Sequence, residues 1–138
     1  MENPHGETDL QYLLSNMQPV LEKDEIVFCS IPPEKAMEFL PYSQGFYREE
    51  EGVTVILAKQ DAELNNLPFT TVFHRISLMV HSSLEAVGFL ARITEVLAAQ
   101  GISVNVVSGY YHDHLYIKID QAENALRTLE LWQSKLSE

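Results

Sequence analysis

Two stretches of the chain carry the same order of elements, and that repetition predicts the fold. Residues 73–136 read strand, helix, strand, strand, helix, and residues 25–66 repeat the order more faintly. This is the split β-α-β order of a ferredoxin-like unit, met twice. The predicted class is therefore α+β: two ferredoxin-like βαββαβ halves, antiparallel sheets with helices on one face. The length agrees, since 138 residues suffice for one compact domain or two small halves sharing a core. The halves share no visible residue pattern, so the repeat rests on element order alone.

Each element has its own warrant. In "ETDLQYLLSNMQPVL", Leu10, Leu13, Leu14 and Met17 stand at helical spacing, with Thr8 as the expected N-cap and Pro19 limiting the far end. "EIVFCSI" is a strand stopped by Pro32-Pro33. "EKAMEFL" has the length for about two helical turns. "FYREEEGVTVILA" is a hairpin turning near Glu51-Gly52. Its second strand is apolar on both faces, which predicts a central place. "DAELNNL" is a short helix or turn ended by Pro68.

In the second half, "TVFHRISLMVH" alternates, with Ile76, Leu78 and Val80 on one face. The helix through "GFLARITEVLAAQ" has Leu90, Ile93 and Leu97 as its stripe, and Gly101 stands where a left-handed cap residue belongs. "ISVNVVS" is a strand, residues 109–113 a turn, and "HLYIKI" a second strand. Asp120 with Glu123 has the spacing of a capping box for the last helix. Ala122, Ala125, Leu126, Leu129, Trp132 and Leu136 give that helix a core face, with Trp132 read as packed core.

Composition narrows the function classes. Hydrophobic residues make up 46% and charged residues 21%, ordinary for a globular chain. A net charge of −11 repels phosphate backbones, so nucleic acid is not an expected partner. No apolar run approaches the ~20 residues that span a bilayer. "MENPHGETDL" is polar and acidic, unlike a secretory signal, and Cys29 is the single cysteine; both point to the cytoplasm. Cys29 lies in a strand-like run and reads as a small buried hydrophobe, since no base or oxyanion site is near it in sequence.

The predicted topology brings two distant loops together. Strands 73–81 and 114–119 are central antiparallel neighbours in a ferredoxin-like sheet, so "HSSLEAVG" and "SGYYHD" meet at one edge. Helix-start amides there can hold an anion. Gly88 allows close approach, and Asp113 and Glu85 can accept from an ammonium group. An anion receiver beside a cation receiver suits an amino acid. Each residue also has a plainer role: Ser82 and Glu85 as a capping box, Gly88 for helix packing, Asp113 as a turn residue.

At "VGFLARITEVLAAQGISV" the chain resembles the ACT domain, a regulatory βαββαβ module that binds amino acids and other small effectors. Gly88, Leu90, Ile93, Leu97, Gly101 and Ile102 stand in the places of the family pattern. With "VHSSLEAVG" and "GYYHDHL", the chain resembles stand-alone proteins with paired ACT-type halves, similar to the regulatory region of aspartate kinase and to the arginine-sensor family. The resemblance implies an N-terminal ACT-like half with its leading helix at 1–67 and a C-terminal ACT domain at 68–138. It implies a ligand against Ser83, Glu85, Val87, Gly88, Gly109, Tyr110 and Asp113. It implies no cofactor, no catalysis, and a homodimer or larger assembly. One departure is "SSLEAVG", which is longer than the usual loop and lacks the family's Asp and Pro. Another is the end of the chain after the last helix, where a fourth strand would follow. The strand at 25–31 or "LPFTTVF" is the expected substitute, beside the strand at 73–81.

"GYYHDHLYI" poses the remaining question. Alternation puts His112, His114 and Tyr116 on one face, and His81 ends the neighbouring strand. Three such histidines suit an open zinc site. A pair at i, i+2 with nothing to order its second shell is a weak signal, so no metal is expected. His74 falls on the Ile76 face, as a satisfied buried imidazole. The expected function is a non-enzymatic regulatory module binding a small molecule, an amino acid by its pocket chemistry. The alternatives are a metal protein or enzyme using His81, His112 and His114, or an interaction module without ligand.

Overall fold

The structure is a computed structural model and describes residues 4–136. The chain divides into two compact units, one of residues 24–73 and one of residues 1–23 with 74–138.

In the unit of residues 24–73, strand β1 (Pro19–Ile31) supplies its last residues, followed by α2 (Pro33–Ala36), β2 (Ser43–Arg48), β3 (Val53–Ala58) and α3 (Lys59–Leu64). The strand order is β2-β3-β1, so β3 is central as its two-faced apolarity predicts. It pairs antiparallel with β1, from Ile26 opposite Ala58 to Ile31 opposite Val53. Val27, Cys29 and Ile31 from β1 join Val53, Val55 and Leu57 from β3 under Ala36, Phe39 and Ala62. These strand residues alternate, so one sheet face is the core. "EKAMEFL" does not give two α-turns. The α-helix stops at Ala36 and a 3-10 stretch runs from Met37 to Tyr42, containing Pro41, which has no N–H for an α-helical bond.

The other unit holds α1 (Leu10–Asn16), the start of β1, β4 (Phe73–Leu78), α4 (Phe89–Ala99), β5 (Asn105–Ser108), β6 (Asp113–Lys118) and α5 (Ala122–Leu136). Its order is β1-β4-β6-β5. Moving forward from Arg75 to Met79 moves back on β1, from Glu22, whose carboxylate takes the Arg75 guanidinium at 2.7 Å, to Gln18, whose carbonyl takes the Met79 N–H at 3.0 Å. That is an antiparallel register. The same holds across β4 and β6, where Arg75 bonds Tyr116 and Ser77 bonds His114. Ile76, Leu78, Leu115 and Ile117 face Phe89, Ile93 and Leu97 of α4, Ala122, Ala125 and Leu129 of α5, and Leu13 and Leu14 of α1.

Several boundaries differ from expectation. Asp9, not Thr8, caps α1, its Oδ1 accepting from Tyr12 N–H at 3.1 Å. β1 begins at Pro19, well before Glu25; a proline is tolerated as the first residue of a strand. Its early residues, rather than 25–31, flank β4. β4 ends at Leu78, leaving Val80 and His81 in the loop. Asp113 is the first residue of β6 rather than the last of a turn. The carbonyl of Gln121 accepts from Ala125 N–H, so Gln121 caps α5 and Asp120 lies outside the helix. Gly101 has the expected left-handed conformation, φ +72°, just past α4.

Candidate functional site

The two predicted loops do meet. β4 and β6 are neighbours, and the segment after β4 lies beside the start of β6. Between them is a cavity of about 150 Å³, bounded by Ser82, Ser83, Leu84, Ala86, Gly88 and the first turn of α4 on one side, and by Ser108, Gly109 and Asp113 on the other. A single water occupies ~10–15 Å³ of such space, so the cavity suits a molecule of roughly ten heavy atoms.

Asp113 is the ionisable side chain on the wall among the described residues, and it is buried, 5% exposed. Its Oδ2 accepts from Ser82 Oγ at 2.8 Å, a bond between buried groups. A buried carboxylate needs such partners to stay charged. Gly88 caps α4 in the left-handed conformation, φ +90°, with no side chain bonding the helix start. An L-residue there would be strained, and the first turn of this 11-residue helix, whose amides have no partner within the helix, lines the cavity.

Of the predicted ligand residues, Ser83, Gly88, Gly109 and Asp113 line this cavity. Glu85, Val87 and Tyr110 do not; Val87 is 84% exposed and Tyr110 54%. The expected capping box of Ser82 and Glu85 is not formed. The helix starts at Phe89, too late for it, and Glu85 N–H instead donates to Ser83 Oγ at 3.1 Å in a local turn. The spacing of Ser82 and Glu85 predicts that box and hides Ser82 as Asp113's partner. Its sequence signal is its place just past a strand whose neighbour begins with an aspartate. Ser108 and Phe89 also line the cavity without having been singled out.

Two of the three histidines have hydrogen-bond partners of their own, while His81 Nε2 is buried without one among the described residues. Ser77 Oγ and His114 Nδ1 share a hydrogen bond at 2.8 Å. His112 Nδ1 lies 3.3 Å from the Val80 carbonyl. The His81 ring packs on Tyr111, centroids 5.0 Å apart, and near Tyr110 at 6.0 Å. Among the described residues no group of three His, Cys, Asp or Glu is placed to hold a metal ion. Burial pushes His114 below the usual imidazole range, helped by the charges of Arg75 and His112 and opposed by Asp113 and Glu22. His74 lines a separate hollow of about 190 Å³ with Lys23, Asp120 and Glu123. Among the described residues no helix is long and apolar enough to cross a membrane.

A family model for the ACT domain matches residues 5–74, and a second ACT domain model matches residues 73–130. A crystal structure from Vibrio cholerae, of a protein of unknown function described as a possible transport protein, is similar at 37% identity with a TM-score of 0.80. The match covers 90% of this chain and 95% of that one. The ligand-free regulatory subunit of aspartate kinase from Thermus thermophilus is similar at 13% identity, TM-score 0.64, covering 84% of this chain and 95% of its own. A protein from Agrobacterium tumefaciens gives 13% identity and a TM-score of 0.66, covering 83% and 87%. At 13% identity the last two show a shared fold alone. A search of curated proteins found no match.

Proposed function

The chain belongs to the ACT domain family, with two ACT halves in tandem, and on that premise we propose that it is a regulatory module whose C-terminal half binds a small amino acid in the cavity at Asp113. One observation carries the reading: a buried carboxylate, fixed by Ser82, and the first turn of α4 line the same space of about 150 Å³. Oδ1 of Asp113 and the adjoining carbonyls take the ammonium group. The amides that follow Gly88 take the carboxylate. A similar fold in an aspartate kinase regulatory subunit supports the regulatory part of the reading. The limited volume favours small or medium side chains over long ones.

The reading includes no catalytic step. Ser82 donates straight to a carboxylate with no imidazole between them, and His114 is engaged with Ser77 instead. A Ser–carboxylate pair is a structural clamp rather than an activated nucleophile. The working form in this reading is a cytoplasmic homodimer.

A thermal-shift screen of the common amino acids tests the proposal. Ligand at about a hundredfold over Kd stabilises the native state by about 2.7 kcal/mol, several degrees in Tm. A panel in which no amino acid moves the transition contradicts it.

A further inference from the structure

Glu7 reaches the wall of the cavity through its backbone. Glu7 N–H donates to the His81 carbonyl at 2.8 Å, and Ser83 N–H donates to the Glu7 carbonyl at 2.8 Å. Together they make one rung of parallel bridge between Glu7 and Ser82. Gly6 makes the approach possible. Its φ is +88°, and a Cβ there would stand 2.7 Å from Ser83 N and 2.9 Å from the Ser82 carbonyl carbon. Both the conformation and the clearance demand glycine. The Glu7 side chain anchors the strap at its other end, Oε1 accepting from Asp9 N–H at 3.0 Å where α1 begins.

The position of this rung matters. β4 ends at Leu78, and after the Met79 N–H bond to the Gln18 carbonyl the segment 80–88 has left the sheet ladder. Val80 and Ser82 N–H turn back to carbonyls two residues earlier. The strap supplies the long-range backbone bonds on either side of Ser82, the residue that holds Asp113.

We propose that Gly6 and Glu7 are positioning residues of the ligand site. The N-terminal strap fixes residues 81–83 in the form that presents Ser82 and Asp113, and ligand and strap stabilise one another. This rests on the amino-acid reading above. Coupling of two binding events is reciprocal, so whatever the strap gives the ligand the ligand returns to the strap.

The experiment uses the full chain and amide hydrogen exchange at Ser83 and Glu7, which needs no ligand. Gly6→Val removes the clearance. Glu7→Pro removes the N–H that donates to the His81 carbonyl. Glu7→Gln keeps every acceptor and serves as the control. Exchange at Ser83 is expected to rise about tenfold or more in the first two and to stay at the wild-type rate in the third. The amides of β6 and α5, and the melting temperature, stay unchanged, which a general loss of structure would not allow. The amino acid with the largest wild-type thermal shift is expected to bind Gly6→Val about tenfold more weakly, and to slow Ser83 exchange in the wild type. Unchanged Ser83 exchange in both variants overturns the strap. Released strap with undiminished affinity overturns its positioning role. A wild type that binds no amino acid, with Ser83 still protected through Gly6, overturns the ligand reading and with it the positioning role.

Discussion

His114 shows how one residue's surroundings become a pH dependence. Burial, with Arg75 and His112, holds its imidazole below the usual range in the folded chain. Between the folded pKa and the ordinary value of about 6.5 the unfolded chain binds the extra proton. Stability is then complete above about pH 6.5 and falls as pH drops toward the folded pKa. Denaturant melts at stepped pH should show His114→Gln losing less stability on acidification than the wild type. Equal slopes would contradict the assignment. Asp113 was legible in the sequence because an aspartate beside a glycine-tyrosine turn is a candidate wherever the fold puts that turn. Ser82 was not, because Ser82-x-x-Glu85 has the spacing of a capping box and only the structure shows that α4 starts later, at Phe89. Val87 and Tyr110 lie on the loops that bound the cavity but are exposed and do not line it, and loop side-chain direction has no periodicity to read.

At the scale of elements, α4 and α5 were legible because their apolar stripes keep helical spacing over several turns, and the hairpin because Gly52 separates two strand patterns. The start of β1 was not, since "PVLEKD" is charged and opens on a proline; its pairing with β4, not its own propensity, makes it a strand. The leading helix is short, and its importance lies in packing. Leu13 and Leu14 are buried in the cluster that holds Ile76, Leu78, Ile93 and Leu129. Leu13→Ala should therefore cost about 2–5 kcal/mol, the range for emptying a well-packed core position. Urea unfolding with an unchanged m-value checks this. A cost near that of a surface site would mean that α1 is an appendage.

At the scale of the whole molecule, the tandem of two ACT halves was legible from the repeated element order, because each half carries its own period switches. Which segments complete which unit was not, because that depends on pairing between strands far apart in sequence. Residues 1–23 belong with residues 74–138. A fragment of residues 68–138 lacks both the β1 segment that flanks β4 and the α1 side chains of the core, so it exposes a strand edge and an apolar face. We expect no cooperative melt from it by circular dichroism, and light scattering of the intact chain to give a dimer mass. With a net charge of −11 per chain, the dimer should tighten as salt screens the repulsion. A cooperative fragment, or a monomer at tens of micromolar, would contradict the corresponding part.

The central claim is that Asp113 recognises an amino acid in the cavity before α4. Titration calorimetry of the wild type and of Asp113→Asn, with the amino acid giving the largest thermal shift, tests it most directly. Asn keeps the shape and can still accept from Ser82, while removing the charge that pairs with the ammonium group. The wild type is expected to bind 1:1 and the variant to lose about 1.5–3 kcal/mol, the range for a hydrogen bond to a charged group, or at least tenfold in Kd. Equal affinity in a folded Asp113→Asn protein would contradict it.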